Sequence, residues 1–197
     1  LSKNPEVFDA VISGSFFEQL PNAAKLSGIL SRELRQSGDY ETQLNAARLW
    51  KNEISFRIGV QHLQRIISAN EAAGHYSDLA EAVLRALFDP VCAAFSVRHG
   101  PPPGQGVAVL AMGSLGAKNF TAGSDLDLIV IYDAGDAEAS IGRRPLPVST
   151  YFARLTQAMV TALSSPMSHG KLYDVDMRLR PSGQKGPVAT AFGGFKA

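Results

Sequence analysis

The stretch that decides the fold is Val107–Asp133, VAVLAMGSLGAKNFTAGSDLDLIVIYD. Val107, Val109 and Leu110 lead into Gly113-Ser114, and a short run of Val, Leu and Ala bounded by glycines reads as a buried strand. The second run, Leu126, Leu128, Ile129, Val130, Ile131 and Tyr132, is apolar at nearly every position, as in a strand covered on both faces. Asp125 and Asp127 open it two residues apart, so a strand sends both carboxylates to one side. Two such charges about 5 Å apart repel by roughly 3 kcal/mol at an effective dielectric near 20. No basic residue lies between Gly123 and Asp133 to offset them. A divalent cation removes the conflict, since Mg²⁺ takes oxygen ligands and is commonly held by one or two carboxylates together with substrate phosphates. On D-x-D alone, a solvated strand end with aspartates in a turn reads the same way.

The upstream turn narrows the choice. Gly113 lets backbone N–H groups approach a phosphate closely, Ser114 adds a hydroxyl, and Gly116 keeps the loop free of a β-carbon. A strand, a Gly-Ser turn and a strand opening with D-x-D together resemble the polymerase-β-like nucleotidyltransferases. That resemblance implies an α+β fold: a nucleotidyltransferase domain with a mixed sheet, here preceded by an α-helical region.

A second informative run is Leu172–Arg180, LYDVDMRLR. Tyr173, Val175, Met177 and Leu179 alternate with Asp174, Asp176, Arg178 and Arg180, so a strand here packs one face and charges the other. A half-solvated strand has the same pattern. A nucleotidyltransferase needs a third carboxylate on a neighbouring strand and basic groups for a triphosphate, and this run can supply both. The loop Pro181–Pro187 follows, with Lys185 placed to meet phosphates or a partner protein.

The remainder sets the frame. With 197 residues, 45% hydrophobic and 19% charged, the chain can bury a proper core. A net charge of +1 gives no support for a nucleic-acid-binding surface. Cys92 is the single cysteine, which excludes an intrachain disulfide and fits a reducing, cytoplasmic setting. No apolar run approaches a membrane span, and no signal peptide is evident. Residues 1–99 read as helical: Glu6–Leu20 ended by Pro21, then Ala23–Gln36. Next comes a long helix Tyr40–Ala69 with Leu44, Ala47, Trp50, Ile54 and Ile58 on one stripe and Phe56, Val60, Leu63 and Ile67 on another. Gly74 is expected to break the pattern, Ser77 to cap the next helix, and Asp89-Pro90 to kink or end it. His62, His75 and His99 lack metal-ligand spacing. GPPPGQG, residues 100–106, is a stiff boundary before a catalytic segment, residues 107–197. Ala134–Pro147 reads as a surface loop in which Arg143-Arg144 are solvated charges, the alternative being a reach toward phosphate. Ser149 is expected to cap a helix closed by Pro166. The start at leucine and the stop at Gly193–Ala197 without a closing element lead us to expect a fragment of a longer protein.

GSLGAKNFTAGSDLDLIVIYD followed by GKLYDVDMRLRPSGQKGP resembles glutamine synthetase adenylyltransferase, and LWKNEISFRIGVQHLQRIIS resembles the segment preceding its catalytic domain. That family is bifunctional, with one nucleotidyltransferase domain that removes AMP from glutamine synthetase by phosphorolysis. Its other domain attaches AMP from ATP to a tyrosine of the synthetase. RLRPSG and TAGSDLDL resemble the C-terminal, adenylylating half. The resemblance implies that Asp125, Asp127 and Asp176 are the catalytic and metal residues, holding two Mg²⁺ ions. It implies that Gly113 and Ser114 cradle phosphates and that Arg178, Arg180 and Lys185 contact the nucleotide's anionic tail, with Asp174 in a supporting place. It further implies ATP as substrate, glutamine synthetase as partner and a PII-type nitrogen signalling protein as regulator of the full-length enzyme. The chain departs from the family at Ser114, where a basic residue is usual, and at Gly116-Ala117, where Gly-Gly is usual. The alternatives are the phosphorolytic half, a non-catalytic nucleotidyltransferase-like regulatory domain, and a D-x-D glycosyltransferase; the last explains neither the Gly-Ser turn nor the charged face of Tyr173–Arg180.

Overall fold

The computed structural model describes residues 15–178 and 187–195. After a 3-10 turn at Ser15–Phe17, helices α1 (Ala23–Gln36), α2 (Tyr40–Leu63) and α3 (Ala69–His99) precede the sheet. The order continues β1 (Gly106–Ala111), the one-turn helix α4 (Gly113–Gly116), β2 (Leu126–Asp133), α5 (Val148–Ser164), β3 (Val175–Asp176), β4 (Ala189–Ala191) and the short α6 (Phe192–Phe195). The part of the expected Glu6–Leu20 segment before Ser15 lies outside the described residues.

The helical layer follows its apolar spacing. Leu26, Leu30 and Leu34 recur every four residues on α1 and are buried. α2 starts where Asp39 accepts a hydrogen bond from the Thr42 amide at 2.9 Å, and it stops at Leu63, short of the expected Ala69. Its first stripe is core, with Ala47 and Ile58 fully buried and Trp50 nearly so. The second is not: Phe56 is 39% exposed and Leu63 81% exposed, because α1 and α3 cover only the other side.

α3 corrects two expectations: Gly74 does not break it and Ser77 does not cap it. Of the two outcomes expected at Asp89-Pro90, a kink or an end, the helix does not end there but runs to His99. The cap is Ser68, in a reciprocal box with Glu71. Ser77 instead lies buried inside the helix, donating to the Ala73 carbonyl at 2.8 Å. Leu79, Ala80, Val83, Leu87 and Val91 form one buried stripe spanning the proline, so packing carries the helix past the missing N–H. Helix α5 likewise begins at Val148 after Pro147, without a side-chain cap from Ser149; it ends at Ser164, ahead of Pro166 as expected.

The sheet is mixed and four-stranded, with β2 at its centre. β1 pairs antiparallel with β2, while β3 and β4 share its other edge in parallel. β2 is buried along all but Asp127 and Asp133. Leu126, Leu128, Val130 and Tyr132 belong to one buried cluster with the helices, and the Tyr132 ring stacks on Phe152 of α5 at 4.4 Å. β1 was expected to be buried but is an edge strand. Val107 and Val109 pack inward, whereas Leu110 on the opposite face is 37% exposed. The expected long strand Leu172–Arg180 contributes only Val175 and Asp176 to the sheet. Leu172 and Tyr173 give their amides to the Leu163 carbonyl at the end of α5 instead of to a strand. The alternation itself survives: Tyr173 is buried, Val175 and Met177 pack on the core, and Asp174 and Arg178 are exposed.

A large polar side chain also sits inside this frame. Arg48 of α2 is fully buried, and its guanidinium donates to the carbonyls of Leu44, Ala162, Ser165 and Gly170 at 2.7–2.8 Å. A buried carbonyl stripped of its donor costs about 1–3 kcal/mol, so this one side chain stabilises the meeting of α2, α5 and the turn after α5.

Removing the α3 cap with Ser68→Ala is expected to cost about 1 kcal/mol of stability, read as a lower denaturant midpoint. Hydrogen bonds from the Ser68 backbone and hydroxyl hold the Glu71 carboxyl below its ordinary value. Its contribution is therefore complete above the carboxyl's unfolded pKa and fades as pH falls through the lower folded value; the difference between wild type and Ser68→Ala should shrink in that acid range.

Candidate functional site

The carboxylates gather at the N-terminal end of β2. The turn before it is closed by Thr121 and Ser124, whose side chains lie 2.8 Å apart, and Asp125 follows, exposed. Asp127 is the second residue of β2 and faces Met112, whose amide donates to the Asp127 carbonyl at 2.8 Å. Parallel pairing then sets Val175 beside Leu126 and Asp176 beside Asp127. The Leu126 amide bonds the Asp174 carbonyl at 2.9 Å, which fixes that register.

Gly113 is shaped around Asp127. Its φ is +52°, and a β-carbon there would lie 2.1 Å from Asp127 Oδ2. Glycine is thus required twice, by the left-handed backbone and by the carboxylate occupying the place of a side chain. Ser114, half-buried in the same one-turn helix, holds the following loop through its carbonyl, which accepts from the Asn119 amide at 2.8 Å.

Arg178 supplies the local positive charge. Asp176 Oδ1 accepts the Arg178 amide at 2.7 Å, and Asp176 Oδ2 accepts Nε at 2.7 Å and Nη2 at 2.5 Å. The Arg178 guanidinium is raised above its ordinary value, first by hydrogen bonding and attraction to Asp176 and further by Asp127 and Asp125. All three carboxylates therefore act on one exposed cation. They do not stand as a ready ligand cluster: among the described residues, no three His, Cys, Asp or Glu side chains are gathered closely enough to hold a metal ion. Both oxygens of Asp176 are turned onto Arg178. The donors are nonetheless all carboxylate oxygens, the chemistry Mg²⁺ prefers.

The other residues singled out in the sequence are placed less centrally. Asp174 is exposed and ion-paired with Lys171. Arg143 and Arg144 lie in a loop tied to the end of α3, where the Arg144 amide donates to the Arg98 carbonyl at 3.0 Å and His99 Nδ1 bonds the Arg144 carbonyl at 2.8 Å. That loop adjoins the far end of β2. Arg180 and Lys185 lie outside the described residues.

Sequence reasoning missed the supports. Lys118, directly after α4, pairs with Asp78 and Glu81 of α3 at 2.9 and 2.8 Å. The Phe120 amide donates to the buried Ser77 hydroxyl at 3.2 Å. The Phe120 ring meets the buried Tyr173 ring edge-on at 5.8 Å, joining the segment before Asp125 to the segment before Asp176. The available signal was one buried-type aromatic shortly before each acidic motif. For Arg48 it was an arginine inside the apolar stripe that carries Leu44 and Ala47.

A family model described as glutamate–ammonia ligase adenylyltransferase matches residues 1–197. A bifunctional glutamine synthetase adenylyltransferase/adenylyl-removing enzyme of Xanthobacter autotrophicus is 48% identical over 198 residues, covering 99% of this chain and 20% of that protein. Proteins of the same description from Brucella suis and Mesorhizobium japonicum are 44% and 43% identical, each covering all of this chain and 20% of the relative. The chain thus spans about one fifth of the length of the curated relatives it matches.

Gly113→Ala is expected to displace the Asp127 carboxylate and to lower stability by about 1 kcal/mol or more. Gly123→Ala, with open space around its Cα, should be neutral or slightly stabilising. Parallel thermal melts of the two variants check this contrast.

Proposed function

This chain belongs to the glutamate–ammonia ligase adenylyltransferase family, and on that premise we propose that it carries the polymerase-β-like catalytic segment that transfers AMP from ATP to a tyrosine of glutamine synthetase. On this reading residues 107–197 perform the chemistry and residues 1–99 support them. The observation that carries it is the parallel register that sets Asp176 beside Asp127, with the Asp127 carboxylate filling the side-chain space of Gly113. RLRPSG and TAGSDLDL favour the adenylylating over the phosphorolytic half.

Asp125, Asp127 and Asp176 would hold Mg²⁺. Bound there, the ion would neutralise phosphate charge and lower the pKa of the attacking hydroxyl. The protein's own groups account for the rest. Gly113 and Ser114 present backbone N–H groups and a hydroxyl to the β- and γ-phosphates. Arg178, exposed on the same side, exchanges its partner Asp176 for a phosphate, which a guanidinium binds bidentately. Asp176, once released from Arg178, is placed to accept the proton of the tyrosine hydroxyl. The family resemblance implies that Arg180 and Lys185 would add positive charge for the triphosphate. We further propose a PII-type protein as regulator of the full-length enzyme and, from the single cysteine, a cytoplasmic setting. No described helix is long and apolar enough to cross a membrane.

The test is AMP incorporation into purified glutamine synthetase, with labelled ATP and Mg²⁺ and the subunit mass measured. Wild-type protein should add one AMP per modified subunit. Asp127→Asn should lose on the order of 10³-fold in rate while its circular dichroism spectrum stays native. Activity retained in that variant removes the site assignment. Phosphate-dependent release of ADP from AMP-modified synthetase, without the forward reaction, assigns the chain to the opposite half.

A further inference from the structure

One polar face of α2 reaches across to the segment that carries Asp176. Arg48, Lys51 and Asn52 lie three and four residues apart on a single side of the helix. The Arg48 Nε–H donates to the Gly170 carbonyl at 2.8 Å, and its Nη2 bonds the Ala162 and Ser165 carbonyls at the end of α5, each at 2.8 Å. Asn52 donates to the His169 carbonyl at 3.1 Å. Lys51 Nζ stands 5.1 Å from the centre of the Tyr173 ring, a cation on an aromatic face. All three therefore act on residues 162–173, immediately before Asp174–Asp176.

Arg48 is built unlike an ordinary ion pair. It is fully buried, and among the described residues no carboxylate acts on it; its partners are four carbonyl oxygens from three separate elements. Its planar fork reaches several carbonyls at fixed angles at once, which a lysine ammonium cannot do. Two of those carbonyls close α5, where the helix dipole is negative, so the guanidinium fixes both the helix end and the turn that leaves it. From that turn the chain runs through Leu172 and Tyr173, anchored on the Leu163 carbonyl, to the Asp174 carbonyl that receives the Leu126 amide. The register of Asp176 against Asp127 is the last link.

We propose that Arg48, assisted by Lys51 and Asn52, is a positioning residue for Asp176, so that the helical region takes part in AMP transfer by setting the place of this carboxylate. The proposal rests on the functional reading above for its consequence in rate, but not for its structural content.

The full-length protein is tested as Arg48→Lys, with Asn52→Ala as a second variant because Asn52 is exposed and its truncation leaves the core intact. For Arg48→Lys, kcat for AMP transfer should fall about 10- to 100-fold, with KM for ATP within about twofold, since Arg48 bonds backbone carbonyls of α2, α5 and the turn after it and none of the proposed phosphate groups. Asn52→Ala should show the same split, more weakly. Amide hydrogen exchange gives a readout that needs no activity. The Leu126, Leu172 and Tyr173 amides should exchange at least about tenfold faster in both variants, while Leu30 of α1 keeps its protection. Unchanged exchange at those three amides, or kcat and KM both at wild-type values, overturns the proposal. A uniform rise that includes Leu30 also overturns it, because Arg48 would then serve general stability alone. A wild-type protein inert in both AMP transfer and phosphorolysis fails the functional reading instead, and exchange alone then decides the coupling.

Discussion

The structure depends on the parallel pairing of β3 with the start of β2. A single backbone hydrogen bond, from the Leu126 amide to the Asp174 carbonyl, begins it, and two residue pairs complete it. So short a ladder cannot hold itself in water; isolated strand pairs are marginal even when longer. It persists because both strands are held from outside. β2 is buried in the core and flanked by β1 and β4, while the approach to β3 is clamped by the end of α5, by the Tyr173–Phe120 contact and by the polar face of α2.

This arrangement accounts for the division of labour along the chain. Leu126, Leu128, Val130 and Tyr132 of β2 and the stripes of α1, α2, α3 and α5 form one continuous buried cluster, which stabilises but carries no chemistry. The polar residues that matter lie where that cluster ends. Asp125, Asp127 and Asp176 lie around the start of β2, where the exposed Arg178 guanidinium binds Asp176 and feels the charge of the other two. Such a pairing is exchangeable in water. The charge on Asp176 is held at the surface, whereas the buried Arg48 cannot move without giving up four hydrogen bonds at once.

The misreadings share a cause. Gly74, Ser77 and Pro90 are weak helix formers or breakers by local propensity, yet α3 passes all three because one face of it is buried along its length. Phe56 and Leu63 have the spacing of a core stripe but remain exposed, since periodicity shows that a face is apolar without showing that anything covers it. β1 has the composition of a buried strand and lies at an edge, because strand order is a property of the sheet and not of the segment.

From the amino-acid sequence alone came the helices ahead of the sheet, the apolar strand at Leu126–Asp133 and the alternation that exposes Asp174 and Arg178. Each follows from a local period, in which the pleat or the helical turn by itself decides which way a side chain points. Tertiary structure alone decided that Asp176 lies beside Asp127, that the Asp127 carboxylate fills the space Gly113 leaves, and that Arg48 reaches a carbonyl 122 residues away. Those are relations between segments far apart in the chain, set by how the buried surfaces fit together, and no local period encodes them.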